Sequence, residues 1–312
     1  MDDLGRGASL HALEPPPSPE AGFSTRRRVR TGDVDPQRRL RLDSVARYLQ
    51  DIAADNLDAT GHARTDPFWI VRRTVIDVIE PISWPATVGL QRWCSGLSSR
   101  WANMRVRLTV EDSENPEDPD GMPAPGTAAP GPPTRRGGLV ETEAFWINVT
   151  AAGLPARISD SGMASLAGTT DIHRLRWAGL TQGCPPERPG EPQDRPHLLR
   201  STDFDPLQHV NNAAYLAVVE DELQQHADLL QRRHRVVIEY LRPVTQGATM
   251  TVRRRRAGDR LELWLMVDGI VAAAVLVTPI PAASASPASA SPASASPASA
   301  SPTASVRYRP QE

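Results

Sequence analysis

Asp205, His209, Asn211 and Asn212 lie within eight residues of one another in the stretch DFDPLQHVNNAAY, residues 203–215. A carboxylate, an imidazole and two amides at that density can do acyl chemistry. The carboxylate can activate water or attack an acyl carbon itself. The imidazole can orient a substrate or move a proton, and an amide can hold the imidazole or the water. The stretch also enters a helical pattern, whose N-terminus offers unpaired N–H groups and partial positive charge to a carbonyl oxygen becoming an oxyanion. A purely structural role competes with this. Asn is a favoured N-cap and the helix dipole favours an acid just before a helix, so capping accounts for Asn212 and for Asp205. It leaves His209, and Asn twice running, without a reason.

The elements around the cluster occur twice. RTGDVDP (30–36) mirrors RSTDFDP (200–206), each between an apparent strand and a helix, as a duplicated unit would place them. Stepping on equally sets Asp35 opposite Asp205, Arg39 opposite His209, and Arg41 and Leu42 opposite Asn211 and Asn212. The sister copy enters its helix without the His or the Asn pair, so the turn itself does not require them. In the first copy LDSVARYLQDIAADNLDATG spaces Leu42, Val45, Ala46, Leu49, Ile52 and Ala53 as an amphipathic helix, with Asp43 as N-cap and Gly61 as stop. Strand patterns follow in FWIVRRTVIDVI, TVGLQRWCSG, ANMRVRLTVED and GLVETEAFWINVT. In the second copy HLLRSTDFD reads as a strand and NNAAYLAVVEDELQQHADLL as one helix. RRHRVVIEYLRPV, ATMTVRRRRAGD, RLELWLMVDG and IVAAAVLVT are then strands. One helix followed by four strands, repeated, predicts an α+β fold in which an antiparallel sheet curls around a central helix.

The remaining segments are polar or Pro-rich: residues 1–21, a loop at 113–138, a linker at 169–195, and a tail from 283 that repeats SASPA. They bracket an N-terminal domain at 22–168 and a C-terminal domain at 196–282. The 312 residues carry a net charge of −2, and every basic residue is Arg, so nothing overall points to nucleic acid. Cys94 and Cys184 fit neither a disulfide framework nor a zinc site. No metal-ligand spacing and no phosphate-cradling Gly loop is present, and this chemistry needs no cofactor. The start of the chain lacks the basic region and apolar run of a secretory signal, and GIVAAAVLVTPIP from Gly269 is too short to span a bilayer. A cytoplasmic protein with no membrane span is therefore expected.

The motif DFDPLQHVNNAAY resembles the D-x-D-x-N-x-H-V-N-N-x-x-Y signature of the acyl-ACP thioesterases of plants and bacteria. YLQDIAADNLDATG, DPFWIVRRTVIDV, PISWPATVGLQRWCSG, ETEAFWINVT and VVIEYLRP follow in family order. The resemblance covers roughly residues 23–168 and 196–281. It implies two tandem hotdog domains, each an antiparallel sheet wrapped around a helix. Asp205 then matches the catalytic Asp, His209 the catalytic His, and Asn211 and Asn212 the paired Asn. It also implies that the N-terminal half holds the acyl chain, where Trp146 could line the tunnel, and that Tyr215 of the motif meets substrate. The implied partner is acyl carrier protein bearing a phosphopantetheine-linked fatty acyl chain; a homodimer is compatible with the sequence. Two positions depart from the pattern. Leu207 stands where the family usually has Asn, and Pro243-Val244 where plant enzymes carry an acid and a Cys, which speaks against a cysteine nucleophile. The acid near the end of the helix motif is Asp221 or Glu220. Hydrolysis of acyl-ACP by water activated at Asp205 and His209 is the leading expectation. An acyl-CoA thioesterase, or a weakened acyl-chain or carrier-binding protein, is the alternative.

RRRR (253–256) is first a solvated strand edge, since alternate strand residues face opposite sides. A second reading gives Arg253 and Arg255 to the carrier or its phosphate. Trp69, Trp93, Trp101 and Trp177 are more often packing residues than a substrate box.

Overall fold

The computed structural model describes residues 13–111, 137–175, 177, 179–185 and 194–281. The expectations for residues 1–12, for most of the 113–138 loop and for the tail from 283 fall outside these. The described residues up to Ile280 form one compact unit.

The first repeat supplies β1 (Phe23–Arg28), α1 (Leu42–Thr60), β2 (Trp69–Glu80), β3 (Thr87–Leu97), β4 (Trp101–Glu111), β5 (Leu139–Asn148) and a short α2 (Asp160–Ala167). The second supplies β6 (Asp194–His197), α3 (Asn212–Leu223), α4 (Ala227–Leu230), β7 (His234–Tyr240), β8 (Met250–Ala257), β9 (Arg260–Val267) and β10 (Ile270–Pro279). All ten strands join one antiparallel sheet in the order β1-β3-β4-β5-β2-β7-β10-β9-β8-β6. Read outward from the β2–β7 junction, both halves have the same strand order. The α+β expectation holds as a tandem hotdog, with two repeats related by a pseudo-twofold at that junction.

α1 and α3 pack against each other on one face of the sheet. Leu42, Val45, Leu49 and Ile52 of α1 join Leu216, Val219 and Leu223 of α3 in a single core with Ile76, Leu90, Leu108, Ile238, Leu263 and Val275 of the sheet. Burying each such aliphatic side chain contributes roughly 1.5–3 kcal/mol, which holds both helices on that face. Gly61 ends α1 with φ 74° and donates its N–H to Asp58 O, as its place after the last turn predicts.

Three local readings change. Asp43 is not the N-cap of α1; Arg41 is, and Asp43 sits in the first turn, holding Arg41 and Arg47 at 2.9 and 2.6 Å. HLLRSTDFD is not a continuous strand, because the Arg200 N–H donates to Asp203 Oδ2 at 2.7 Å and closes a 3-10 turn over Ser201–Asp203. The same turn closes in the first repeat, from the Arg30 N–H to Asp33 at 2.9 Å. The single helix expected over 211–230 breaks at His226, whose φ of −127° and ψ of 63° separate α3 from α4.

Across the β2–β7 junction, Arg73 stands opposite Glu239 and Asp77 opposite Arg235. Both pairs are buried ion pairs, at 2.5 and 2.6 Å. They come from matching segments of the two repeats, RTVID (73–77) and RVVIE (235–239). A register slip of four residues would oppose Arg73 to Arg235 or Asp77 to Glu239, so the charges fix the pairing. The described residues of 169–185 strap the face opposite α1 and α3. The Leu97 N–H donates to Ile172 O at 2.8 Å, and Trp177 packs on Phe145 and Arg73. The Leu180 N–H then meets the Glu239 carboxylate at 2.8 Å, and Leu180 and Cys184 pack against Trp264. Among the described residues, no helix is long and apolar enough to cross a membrane.

Candidate active site

The turn that carries Asp205 is the same in both repeats. The Asp205 N–H donates to His209 O and the Gln208 N–H to Asp205 O, each at 2.9 Å, with Gln208 at φ 63°. In the first repeat Asp35, Arg39 and Arg38, at φ 66°, repeat the pattern at 2.9 and 2.8 Å. Each turn is pinned by an isolated bridge to the loop after the following strand, Arg39 to Ser83 and His209 to Thr245. The pairing of Arg39 with His209 and of Arg41 with Asn211 is therefore a structural equivalence.

The two turns differ in what fills them. Asp205 Oδ1 accepts the N–H groups of Leu207 and His209 at 2.9 and 3.3 Å. Its Oδ2 and the His209 ring have no hydrogen-bond partner among the described residues. Asp35 likewise takes the Arg39 N–H at 2.8 Å, but its second oxygen takes Arg39 Nε at 3.0 Å. Arg39 also reaches the buried carboxylate of Glu220 on α3. The other oxygen of Glu220 accepts the Leu42 N–H, the first of α1, at 3.0 Å. The first repeat's turn and helix start are thus closed by charge pairs. In the second repeat the matching N–H, that of Asn212, has no acceptor among the described residues.

Asn211, not Asn212, is the N-cap of α3, its side chain accepting the Ala213 N–H at 2.9 Å. The same oxygen accepts Gln50 Nε2 at 3.0 Å, and Asn211 Nδ2 lies 3.4 Å from Gln50 Oε1. Gln50 is on α1, at the place that matches Glu220 on α3. It also lines a cavity of about 260 Å³ between α1, the N-terminal strands and α2. Gln50, Ala53, Ala54 and Leu57 form its helix wall, and Met104, Trp146, Ile158 and Leu166 are among the opposing residues. The small Ala53 and Ala54 leave the space that larger residues would fill. Asp66 closes the cavity's far side: burial pushes its carboxyl up, but hydrogen bonds from Ser159, Thr65 and Asn148 outweigh this and hold it below its ordinary value.

Two sequence profiles match the chain. The acyl-ACP thioesterase N-terminal domain covers residues 20–117 and the acyl-ACP thioesterase C-terminal domain residues 187–266. The chain belongs to the acyl-ACP thioesterase family. An uncharacterized protein of Mycobacterium tuberculosis is 38% identical over 267 residues, which is 85% of this chain and 95% of that one. Among solved structures, the chain is similar to one assigned as an oleoyl thioesterase from Lactobacillus plantarum, with TM-score 0.62 and 18% identity over 85% of this chain and 99% of that one. It is also similar to an acyl-ACP thioesterase from Bacteroides thetaiotaomicron (TM-score 0.58, 15% identity) and the 12:0-ACP thioesterase from Umbellularia californica (0.55, 16%); each match covers 82% of this chain and 96% of the other. These structures share the tandem hotdog fold.

For this acyl-ACP thioesterase family member, the structure brings Asp205, His209, Asn211 and Asn212 to one helix start, with Trp146 in the neighbouring cavity. Tyr215 lies one turn into α3, buried edge-on against Tyr240, with ring centroids 5.5 Å apart. Burial, with the nearby Asp205 charge adding to it, pushes its phenol up to about 12. Arg253 and Arg255 do not join the cluster. Arg253 is buried in a bidentate pair with Asp194 at 2.7 and 3.0 Å, and its Nη1 donates to Pro185 O. Arg255 pairs with Glu262 and lies over Trp264. Arg254 and Arg256 turn the other way, to Glu222 and Asp228. The four guanidiniums thus alternate in facing, and each has a carboxylate.

Leu207 is 68% exposed and serves the turn through its backbone N–H. Pro243-Val244 sits beside the His209 turn, where Val244 O accepts the Val210 N–H at 2.8 Å. Cys94 is buried on β3, where burial pushes its thiol up to about 11. Cys184 lies near Arg253 on the face away from the helices. Sequence reasoning passed over Gln50. Its signal was the repeat itself, since stepping from Arg39 to Gln50 and from His209 to Glu220 covers the same distance.

Proposed function

We propose that the chain hydrolyses the thioester of fatty acyl-ACP to free fatty acid and holo-ACP at the Asp205–His209 turn. The contrast between the repeats carries this reading: the carboxylate oxygen and helix N–H closed by Arg39 and Glu220 in the first repeat are open in the second. The open Oδ2 of Asp205 takes the proton of a water as its oxygen attacks the acyl carbon. His209, on the same turn, is placed to hold that water or to pass the proton on. The Asn212 N–H, at the positive end of α3, stabilises the developing oxyanion. Collapse breaks the C–S bond, and the phosphopantetheine sulfur leaves with the proton. The acyl chain extends past Gln50 into the cavity lined by Trp146. A CoA thioester offers the same bond and the same arm.

Turnover of acyl-ACP and acyl-CoA of matched chain length tests the reading. Hydrolysis of acyl-ACP, reduced roughly 10²–10⁴-fold in Asp205→Asn, supports it. Asparagine keeps the Oδ1 acceptor that pins the turn, so this variant separates chemistry from folding. Absence of turnover on either thioester would refute the hydrolase reading, and unchanged turnover in Asp205→Asn would refute the role of Asp205.

A further inference from the structure

The cavity beside Trp146 is not wholly apolar. Along β3 the residues facing α1 are Val88, Leu90, Arg92 and Cys94, and all but Arg92 are buried apolar side chains. Arg92 lines the cavity together with Asn56 of α1, and its Nη1 donates to Asn56 Oδ1. No carboxylate pairs with Arg92 among the described residues. Arg39, Arg73, Arg105, Arg235 and Arg253, the buried arginines, each have a carboxylate oxygen within 3.6 Å, whereas Arg92, half-buried on the cavity wall, has none among the described residues. Asp66, the carboxylate in the cavity wall, is already engaged by Ser159, Thr65 and Asn148. Burial pushes the guanidinium of Arg92 down to about 10. That is the direction expected of a cation partly withdrawn from water with no counter-charge beside it.

The position of Arg92 relative to the reacting end matters. Gln50, at the Asn211 side of the cavity, and Asn56 are six residues apart on α1, about 9 Å along its axis. An acyl chain whose thioester lies at the start of α3 therefore has its far end directed toward Arg92.

We propose that this cavity selects acyl chains that carry a carboxylate at the end remote from the thioester, with Arg92 as the group that recognises it. The proposal rests on the hydrolase reading for the direction in which the chain lies. An apolar methyl terminus leaves the guanidinium unpaired, whereas a carboxylate accepts its remaining N–H groups and supplies the missing charge. A site built around a polar partner discriminates strongly against an analogue that lacks it.

The test compares pantetheine thioesters of a saturated monocarboxylic acid and of the ω-carboxy acid of equal length, using the full chain. Wild type is expected to favour the ω-carboxy thioester in kcat/KM by roughly tenfold or more, and Arg92→Met to reverse the preference. Arg92→Gln, which keeps a donor for Asn56, serves if Arg92→Met does not fold. Equal rates on the two thioesters, or a ratio unchanged by substitution, would overturn the inference while leaving the hydrolase reading intact. If neither pantetheine thioester is cleaved, turnover of acyl-ACP decides the hydrolase reading and binding decides the inference. The free long-chain dicarboxylic acid should then raise Tm more than the monocarboxylic acid in wild type but not in Arg92→Met, and equal shifts would overturn it.

Discussion

Gln50 and Glu220 occupy matching places on α1 and α3, and each reaches the N-terminus of the other helix. Gln50 holds the capping amide of Asn211 and leaves the next N–H open. Glu220 takes the first N–H of α1 directly and pairs with Arg39 as well. One carboxylate in place of one amide separates a filled helix start from an open one.

Gln50→Glu should therefore impose the first repeat's condition on the second. A carboxylate there is expected to compete for the Asn212 N–H and to lower kcat by roughly 10²–10³-fold, the effect of losing one oxyanion donor. Gln50→Ala, which leaves the N–H open, should lose less. Steady-state kinetics on both variants checks the order, and Gln50→Ala being the worse of the two would contradict the role given to the Asn212 N–H.

Glu220→Ala should destabilise the fold. It removes a buried partner of Arg39 and strips the Leu42 N–H of its acceptor. Breaking a buried ion pair from one side costs about 3–5 kcal/mol, with Asp35 retained as the remaining partner of Arg39, so the lower end of that range is expected. Urea denaturation gives the value.

Arg235→Met should cost a similar amount, because Asp77 is left as a buried carboxylate opposite an apolar side chain. The double variant Asp77→Leu/Arg235→Met should recover most of the loss, since replacing both members of a buried pair by apolar groups is often neutral. The coupling from a double-mutant cycle in denaturation midpoints measures this.

Asp66 predicts a pH dependence. Its carboxyl titrates near ~3.9 in an unfolded chain and lower when folded, because its hydrogen bonds outweigh burial. Its contribution to stability is thus fully present above about pH 4 and is lost as pH falls through the folded value. The stability difference between wild type and Asp66→Asn should be constant near neutrality and shrink below about pH 4. A difference that grew on acidification would show the sign to be wrong.

Much of this arrangement was legible in the sequence, for reasons that differ by element. The α1 stripe and the β10 apolar run carry their periods in single segments, so both were readable directly. The equivalence of Arg39 and His209 was readable because a duplicated turn keeps its spacing. Caps were not: Asp43 lies two places and Asn212 one place after the residue that caps, and only backbone dihedrals decide between such positions. The role of Glu220 was hidden because its partners, Arg39 and Leu42, lie in the other repeat, at a distance along the chain that local patterns do not register. Arg255 pairs with Glu262 directly across the β8–β9 hairpin and Arg253 with Asp194 of β6, pairings that follow from strand register rather than from the run of arginines itself.

The strand order that reads alike outward from β2 and β7 has a genetic consequence. Two separate copies of a single-domain protein would share one gene, so any substitution at a helix start would appear in both. Here the copies are fused in one chain, and each can be altered alone. Arg39 and Glu220 could close one helix start while the other stayed open beside His209 and Gln50, and the cavity of the first half could change without altering the helix start of the second.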